Sequence, residues 1–281
     1  MSRALLVGCG TDGCKTARAA AADGGFPLLT IDQEDADICL SDTGGKEAPA
    51  NMDESYFRAM FLHNSDMLAH LEGYDTAVVS LFVGGETAGN AALAFGQVAA
   101  SQGISVSYVL AVPLRMFARQ RSRFGPLMRS LALSVEGCRI FVIDFDTVRR
   151  ETSAEEDIAP LLEEFAVLRK HVTAKVMELV GNDRFPVIFK ERFYTVSYGS
   201  CASAAFSAEE ALAFPLYKTS VEGRHVVVCP DSPLSDQERE LLVRKVADAT
   251  GSAPDIVEGT MEGSPGAFVF IPISFRISEG S

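Results

Sequence analysis

Two short apolar segments each run into a glycine-rich turn, and each turn then opens a helix-like stretch. The first is Ala4–Leu5–Leu6–Val7 into Gly8–Cys9–Gly10–Thr11–Asp12–Gly13. The second is Val78–Val79–Ser80–Leu81–Phe82–Val83 into Gly84–Gly85–Glu86–Thr87–Ala88–Gly89–Asn90. A strand that feeds a helix through glycine leaves backbone N–H groups pointing outward at a helix N-terminus, where the dipole favours an anion such as phosphate. Two such junctions about 75 residues apart in one half of a chain constrain the fold far more than one does. Each also carries an acid, Asp12 and Glu86, where a phosphate cradle should avoid negative charge.

Around these junctions strand and helix patterns alternate. Cys14–Asp23 is alanine-rich and helical, Pro27–Ile31 is a strand ending at Asp32, and Ser41–Asn51 is a loop. Ser55–Leu71 reads as one helix, with Phe57, Phe61, Leu62, Leu68 and Leu71 near helical spacing. Thr76–Val83 is a strand, Ala91–Ser101 a helix closed by Gly103, and Val106–Val112 a strand. An arginine-bearing helix follows Pro113, and Arg139–Ile143 is a strand ending at Asp144. Alternation with short links predicts a Rossmann-like parallel sheet covered on both faces.

From Ala154 to Val180 one apolar stripe persists: Ile158, Leu161, Leu162, Phe165, Leu168, Val172, Val176 and Leu179. It predicts a helix roughly 40 Å long, with Ser153 and Glu156 as a capping box and Pro160 in its first turns. Beyond it, Phe193–Ser197, Val226–Cys229, Asp255–Glu258 and Ala267–Ile273 read as strands, and Ala208–Phe214 and Ser235–Thr250 as helices. The expected organisation is α/β throughout: a nucleotide-binding domain over 1–150, a connecting helix over 151–182, and a smaller C-terminal α/β domain over 183–281 without a phosphate loop.

At 281 residues and 47% apolar composition the chain is long enough for two domains. Its longest apolar stretches are strand-length, so no membrane span is expected. A strand begins by residue 4, leaving no basic leader, and the expected location is the cytoplasm. Six cysteines, at 9, 14, 39, 138, 201 and 229, form no CxxC pair and read as reduced thiols; no zinc or other protein-held metal site is predicted. The net charge of −13 argues against nucleic acid as a partner. Against it stands one basic cluster, Arg115, Arg119, Arg121, Arg123 and Arg129, which is either a solvated helix surface or a contact to nucleotide phosphate or a neighbouring subunit.

Taken alone, Gly8-x-Gly10-x-x-Gly13 with Asp32 about twenty residues on is the dinucleotide fingerprint, the acid standing where NAD enzymes bind ribose. It is not a P-loop, since Cys14 stands before Lys15 where that pattern requires glycine. An NAD(P)-dependent oxidoreductase is therefore one reading. It lacks an obvious catalytic motif around His63, His70, His171 or His225. A third reading keeps the glycines only for close helix–strand packing, in a structural interaction protein with an empty pocket.

The order of nucleotide domain, long helix and smaller α/β domain resembles the FtsZ/tubulin superfamily. The residues resemble it too. GGETAGNAA is similar to that family's GGGTGTGAA: Gly84, Gly85, Thr87, Ala91 and Ala92 agree, while Glu86, Ala88, Gly89 and Asn90 depart. Gly8–Gly13 resembles the first phosphate loop, Thr30–Ile31–Asp32–Gln33 the second and Thr43–Gly44–Gly45 the third. Pro113 with Arg119 and Arg121 resembles the fifth. Arg224–Ile273 is similar to the FtsZ pattern of strand, helix and two closing strands.

The resemblance implies a protein that binds GTP or GDP and self-assembles, or regulates an FtsZ-type filament. It implies a nucleotide site at Gly8, Gly10, Thr11, Gly13, Lys15, Asp32, Gly84, Gly85, Thr87, Gly89, Asn90, Arg119 and Asp144. Lys15 stands in place of the family's guanine-reading asparagine, and Asp144 would pair with guanine N1–H and N2–H. Phe117 or Ala118 stands where the family has a ribose-contacting glutamate. Hydrolysis in the family needs acids from the loop after the central helix, supplied by the next subunit. Here that loop is Gly181–Asn182–Asp183–Arg184–Phe185–Pro186, leaving Asp183 as the catalytic candidate and implying a slow or absent GTPase. The chain also stops about eight residues after its last strand, without the tail FtsZ uses for partner contacts. Like charges 4 Å apart repel by about 4 kcal/mol at an effective dielectric near 20. So Asp12 and Glu86 point away from the pocket, or hold Mg²⁺ that bridges to phosphate, or line a pocket that no longer takes a triphosphate.

Overall fold

The computed structural model describes residues 3–40, 53–148, 158–260 and 264–275. The elements, in order, are β1 (Ala4–Cys9), α1 (Gly10–Gly24), β2 (Leu28–Asp32), β3 (Ile38–Cys39), α2 (Glu54–His63), α3 (Ser65–Leu71), β4 (Thr76–Phe82), α4 (Glu86–Ser101), β5 (Ser105–Val112), α5 (Ala118–Arg121), α6 (Phe124–Ser134), β6 (Arg139–Asp144), α7 (Phe145–Val148), α8 (Ile158–Val180), α9 (Phe185–Ile188), β7 (Phe193–Gly199), α10 (Ala204–Ala213), β8 (Val227–Pro230), α11 (Asp236–Thr250), β9 (Asp255–Ile256) and β10 (Ala267–Pro272). They fall into two compact units. The first is 1–140 with 148–185; the second is 141–147 with 186–281.

In the first unit the strands run parallel in the order β3-β2-β1-β4-β5. Near-continuous apolar runs such as Leu5–Leu6–Val7 and Val78–Val79 are buried, as a sheet covered on both faces requires. The chain winds from β1 outward to β3 and then returns to β4 and β5 on the other side. Right-handed crossovers therefore place α1 and α4 on opposite faces. α8, of 23 residues and about 34 Å, lies along α1 and reaches β4 and β5. The expected helix start at Ala154 and the Ser153–Glu156 box lie outside the described residues, as does Thr43–Gly44–Gly45.

The continuous helix expected over 55–71 is instead two, α2 and α3. The break is at Asn64, whose backbone is extended (φ −89°, ψ 103°) and whose side-chain oxygen accepts from Met67 N–H at 2.9 Å. Asparagine competes with helical hydrogen bonding by capping, and here the cap outweighs the apolar spacing. The segment after Pro113 likewise divides into α5 and α6.

In the second unit the order is β6-β7-β10-β8-β9, with β10 antiparallel to β7 and β8 and β8 parallel to β9. All six residues of β10 are buried. Alternation along it divides two cores. Val269 and Ile271 pack with Ala204, Ala208 and Ala211 of α10 and Leu242 and Val246 of α11. Phe270 joins Phe141 and Phe189 at ring separations of 5.6 and 5.2 Å, and Phe141 stacks on Tyr194 at 5.7 Å. α11 begins with a full capping box between Ser235 and Glu238.

Removing one ring from that aromatic group should be costly. Phe270→Ala is expected to destabilise the second unit by about 3–5 kcal/mol and Ser235→Ala by about 1 kcal/mol, both read from urea denaturation followed by near-ultraviolet dichroism.

Candidate functional site

In an open parallel sheet, ligands bind beyond the carboxyl ends of the strands where the winding direction reverses. That point lies between β1 and β4, and a cleft of about 250 Å³ opens there, lined by Cys9–Gly13, Asp32, Gln33, Leu40, Phe82, Gly85, Thr87 and Ala88. Its volume lies just below the ~300–1,000 Å³ typical of small-molecule sites.

Two helix N-termini face this cleft. α1 starts at Gly10 and α4 at Glu86, and neither N-cap, Cys9 or Gly85, supplies a side-chain cap. The first-turn N–H groups of both are thus left to solvent or a ligand. Gly10 holds φ +70°, which side-chain-bearing residues adopt only under strain. A Cβ on Gly10 would also sit 2.6 Å from the Ala88 methyl, and one on Gly13 would sit 2.5 Å from the Ser80 carbonyl oxygen. Gly13 therefore lets α1 lie against β4, and Gly8 is buried beneath α1 in β1. The Ala88 methyl occupies space between the two helix starts.

The strand ends are held by local bonds. Thr30 N–H and hydroxyl both donate to Asp37 Oδ2, at 2.9 and 2.8 Å, pinning the loop after β2, and Asp32 Oδ1 accepts from Gln33 N–H at 2.8 Å. Cys14 Sγ donates to Gly8 O at 3.3 Å and faces Ile31 O at 3.6 Å. Burial pushes its thiol up to about 11, so it is a neutral donor rather than a nucleophile. Behind the first turn, Arg169 of α8 donates to the Asp12 carbonyl at 2.8 Å and to the Thr16 hydroxyl. Behind the second, Arg123 donates to the Gly84 carbonyl at 2.8 Å.

Of the expected site residues, Gly10, Thr11, Gly13, Asp32, Gly85 and Thr87 come together in the cleft. Gly8 lies under it. Lys15 is exposed on α1, and Gly84, Gly89, Asn90 and Arg119 are not among the lining residues. Asp183 is exposed in the turn after α8 and does not line the cleft; Asn182 Oδ1 accepts from Arg184 N–H beside it. Asp144 belongs to the second unit, where it is buried and accepts from Asp146 N–H at 3.0 Å. Asp12 is exposed and lines the cleft, while the side chain of Glu86 lies outside what the structure describes. Within the arginine cluster, Arg121 and Arg123 bond backbone carbonyls of Pro113 and Gly84. Arg169 was not foreseen. Its signal was a charged residue four after Phe165 and three before Val172, on the apolar stripe itself.

Replacing Gly10 by alanine is expected to lower stability by about 1–3 kcal/mol. Ala88→Gly in the same chain should recover the contact part and leave the backbone strain, giving a non-additive double-mutant cycle in urea melts.

No family model matches this sequence, and no curated protein matches it. Solved structures do. An FtsZ dimer from M. jannaschii superposes with a TM-score of 0.76 at 16% identity, over 96% of this chain and 88% of that one. CetZ from Methanosaeta thermophila strain DSM 6194 gives 0.71 at 16% identity, over 98% and 88%. CetZ2 from Haloferax volcanii, solved as a GTPγS-bound protofilament, gives 0.69 at 17% identity, over 96% and 92%. The fold is that of FtsZ and CetZ.

Proposed function

We propose that this chain is a tubulin-superfamily nucleotide protein that holds the phosphate end of GTP or GDP weakly, hydrolyses it slowly or not at all, and acts by assembling with its own copies or with an FtsZ-type partner. The observation that carries this reading is the pair of uncapped helix N-termini, α1 and α4, opening on one cleft at the switch between β1 and β4. The fold it shares with a GTPγS-bound protofilament protein supports it. Phosphate would meet first-turn N–H groups at both helices, with Thr11 and Thr87 beside them and Asp32 toward the ribose. Gly8 and Gly84 shape the turns, and Lys15, Gly89, Asn90 and Arg119 contribute, on this reading, beyond the phosphate cradle.

Two features weaken the cradle. The Ala88 methyl fills space where the resembling motif has glycine, and the Asp12 carboxylate lines the cleft. Asp12 with the hydroxyls of Thr11 and Thr87 forms a set of hard oxygen donors that suits Mg²⁺. They would hold the ion, which when bound neutralises phosphate oxygens. For hydrolysis a carboxylate must reach the attacking water, and Asp183 is the acid that the loop after α8 presents to a neighbouring copy. Among the described residues no helix is long and apolar enough to cross a membrane, consistent with a role in the cytoplasm.

The NAD(P) reading draws on one specific observation, that Asp32 lines the same cleft as Gly10 and Gly13. It leaves the second helix start unused. None of His63, His70, His171 and His225 lines the cleft.

Thermal shift with GTP, GDP, ATP and NAD separates these. Stabilisation by GTP and GDP at millimolar concentration, with little phosphate release, is expected. Stabilisation by NAD alone overturns the proposal, and no response to any of the four favours a purely structural role. Ala88→Gly should tighten GDP about tenfold; unchanged affinity would show that the methyl does not limit the cradle. Sedimentation with and without GTP tests assembly.

A further inference from the structure

A positive charge sits directly behind the wall of the cleft. Arg169, midway along α8, is only 8% exposed. Its Nη2 donates to the Asp12 carbonyl at 2.8 Å and to the Thr16 hydroxyl, whose own oxygen bonds the Asp12 carbonyl at 2.9 Å. The guanidinium lies 5.4 Å from the Phe82 ring centre and 5.8 Å from that of Phe165. These contacts are a carbonyl, a hydroxyl and two ring faces, all neutral. Burial pulls the Arg169 pKa down, and the charge of Asp12 opposes that shift.

Asp12 and Phe82 both line the cleft, so a single layer of residues separates the guanidinium from it. A buried charge is screened little by salt, and its field reaches the nearest anions. Asp12 is one such anion. A phosphate at the start of α1 would be the next. The unexpected acid at the first glycine turn is thus matched by a cation 157 residues away in sequence.

We infer that Arg169 is a positioning residue that lets the Asp12-bearing turn accept a phosphate group. It offsets the carboxylate from behind and fixes the Asp12 carbonyl, so that the first-turn N–H groups of α1 stay turned to the cleft. The inference rests on the reading of the cleft as a phosphate site. The competing role is a structural clamp between α8 and α1, which would hold the helices without affecting anions.

The test uses the full chain and two probes: inorganic pyrophosphate in EDTA by calorimetry, and GTP or GDP with Mg²⁺. Arg169→Met is expected to weaken pyrophosphate about tenfold, ~1.4 kcal/mol. Asp12→Asn alone should tighten it about tenfold. The double variant should return to within about threefold of the parent although the clamp is gone, and Arg169→Lys, which keeps the charge, should stay equally close while melting lower. Pyrophosphate affinity unchanged in Arg169→Met, or a double variant as weak as Arg169→Met, overturns the inference in favour of the clamp. Should Arg169→Met fail to fold, Asp12→Asn decides, and no gain in affinity overturns it. A parent chain that does not bind pyrophosphate overturns it as well. Binding of pyrophosphate but neither GTP nor GDP sinks the guanine-nucleotide reading alone and leaves the role of Arg169 standing.

Discussion

How closely α1 can lie on the β1–β4 pair governs the first unit. The Gly13 Cα–H stands where any side chain would meet the Ser80 carbonyl, and Gly8 gives the same clearance from the β1 side. Because the helix sits this low, its start comes level with the strand ends. There it meets the start of α4, with only the Ala88 methyl between Gly10 and the second helix. α8 then lies over α1 and closes that side of the sheet. A larger residue at Gly13 would lift α1, and with it the floor of the cleft.

The electrostatics follow from this packing. A low-lying α1 brings the Asp12 carbonyl within reach of a guanidinium on α8, and the same approach leaves the Asp12 carboxylate at the cleft surface. Charge and geometry are therefore coupled. The acid faces outward because its backbone is bonded inward. A buried arginine with neutral hydrogen-bond partners is costly to keep.

Much of this was legible in the residues. Glycine spacing placed a helix after each of the two strands, because the constraint is local: a turn of a few residues either clears the neighbouring backbone or does not. α1 and α4 nevertheless start at Gly10 and Glu86, earlier than the expected Cys14 and Ala91. The long stripe of α8 and the helix beginning at Ser235 were readable for the same reason. The break at Asn64 was not, since apolar spacing runs through it and only the side-chain oxygen's choice of Met67 N–H decides. β3, two residues long, gives too short a pattern to see. Arg169 looked like a misplaced charge on an apolar face, and its meaning depends on a partner far away in sequence. The alternatives left open for Asp12 could not be resolved locally either.

The position of β10 has a consequence for the order of folding. Among the described strands it comes last in sequence, yet it lies between β7 and β8 and is buried along its whole length. Until it arrives, β7 and β8 have no shared neighbour, and their inner edges expose unpaired backbone groups. The parallel strands of the first unit face no such wait, because β1 to β5 are complete by Val112. On a ribosome the two units would mature at different times. The second would remain a set of open strand edges, vulnerable to pairing with other chains, until synthesis passes Pro272.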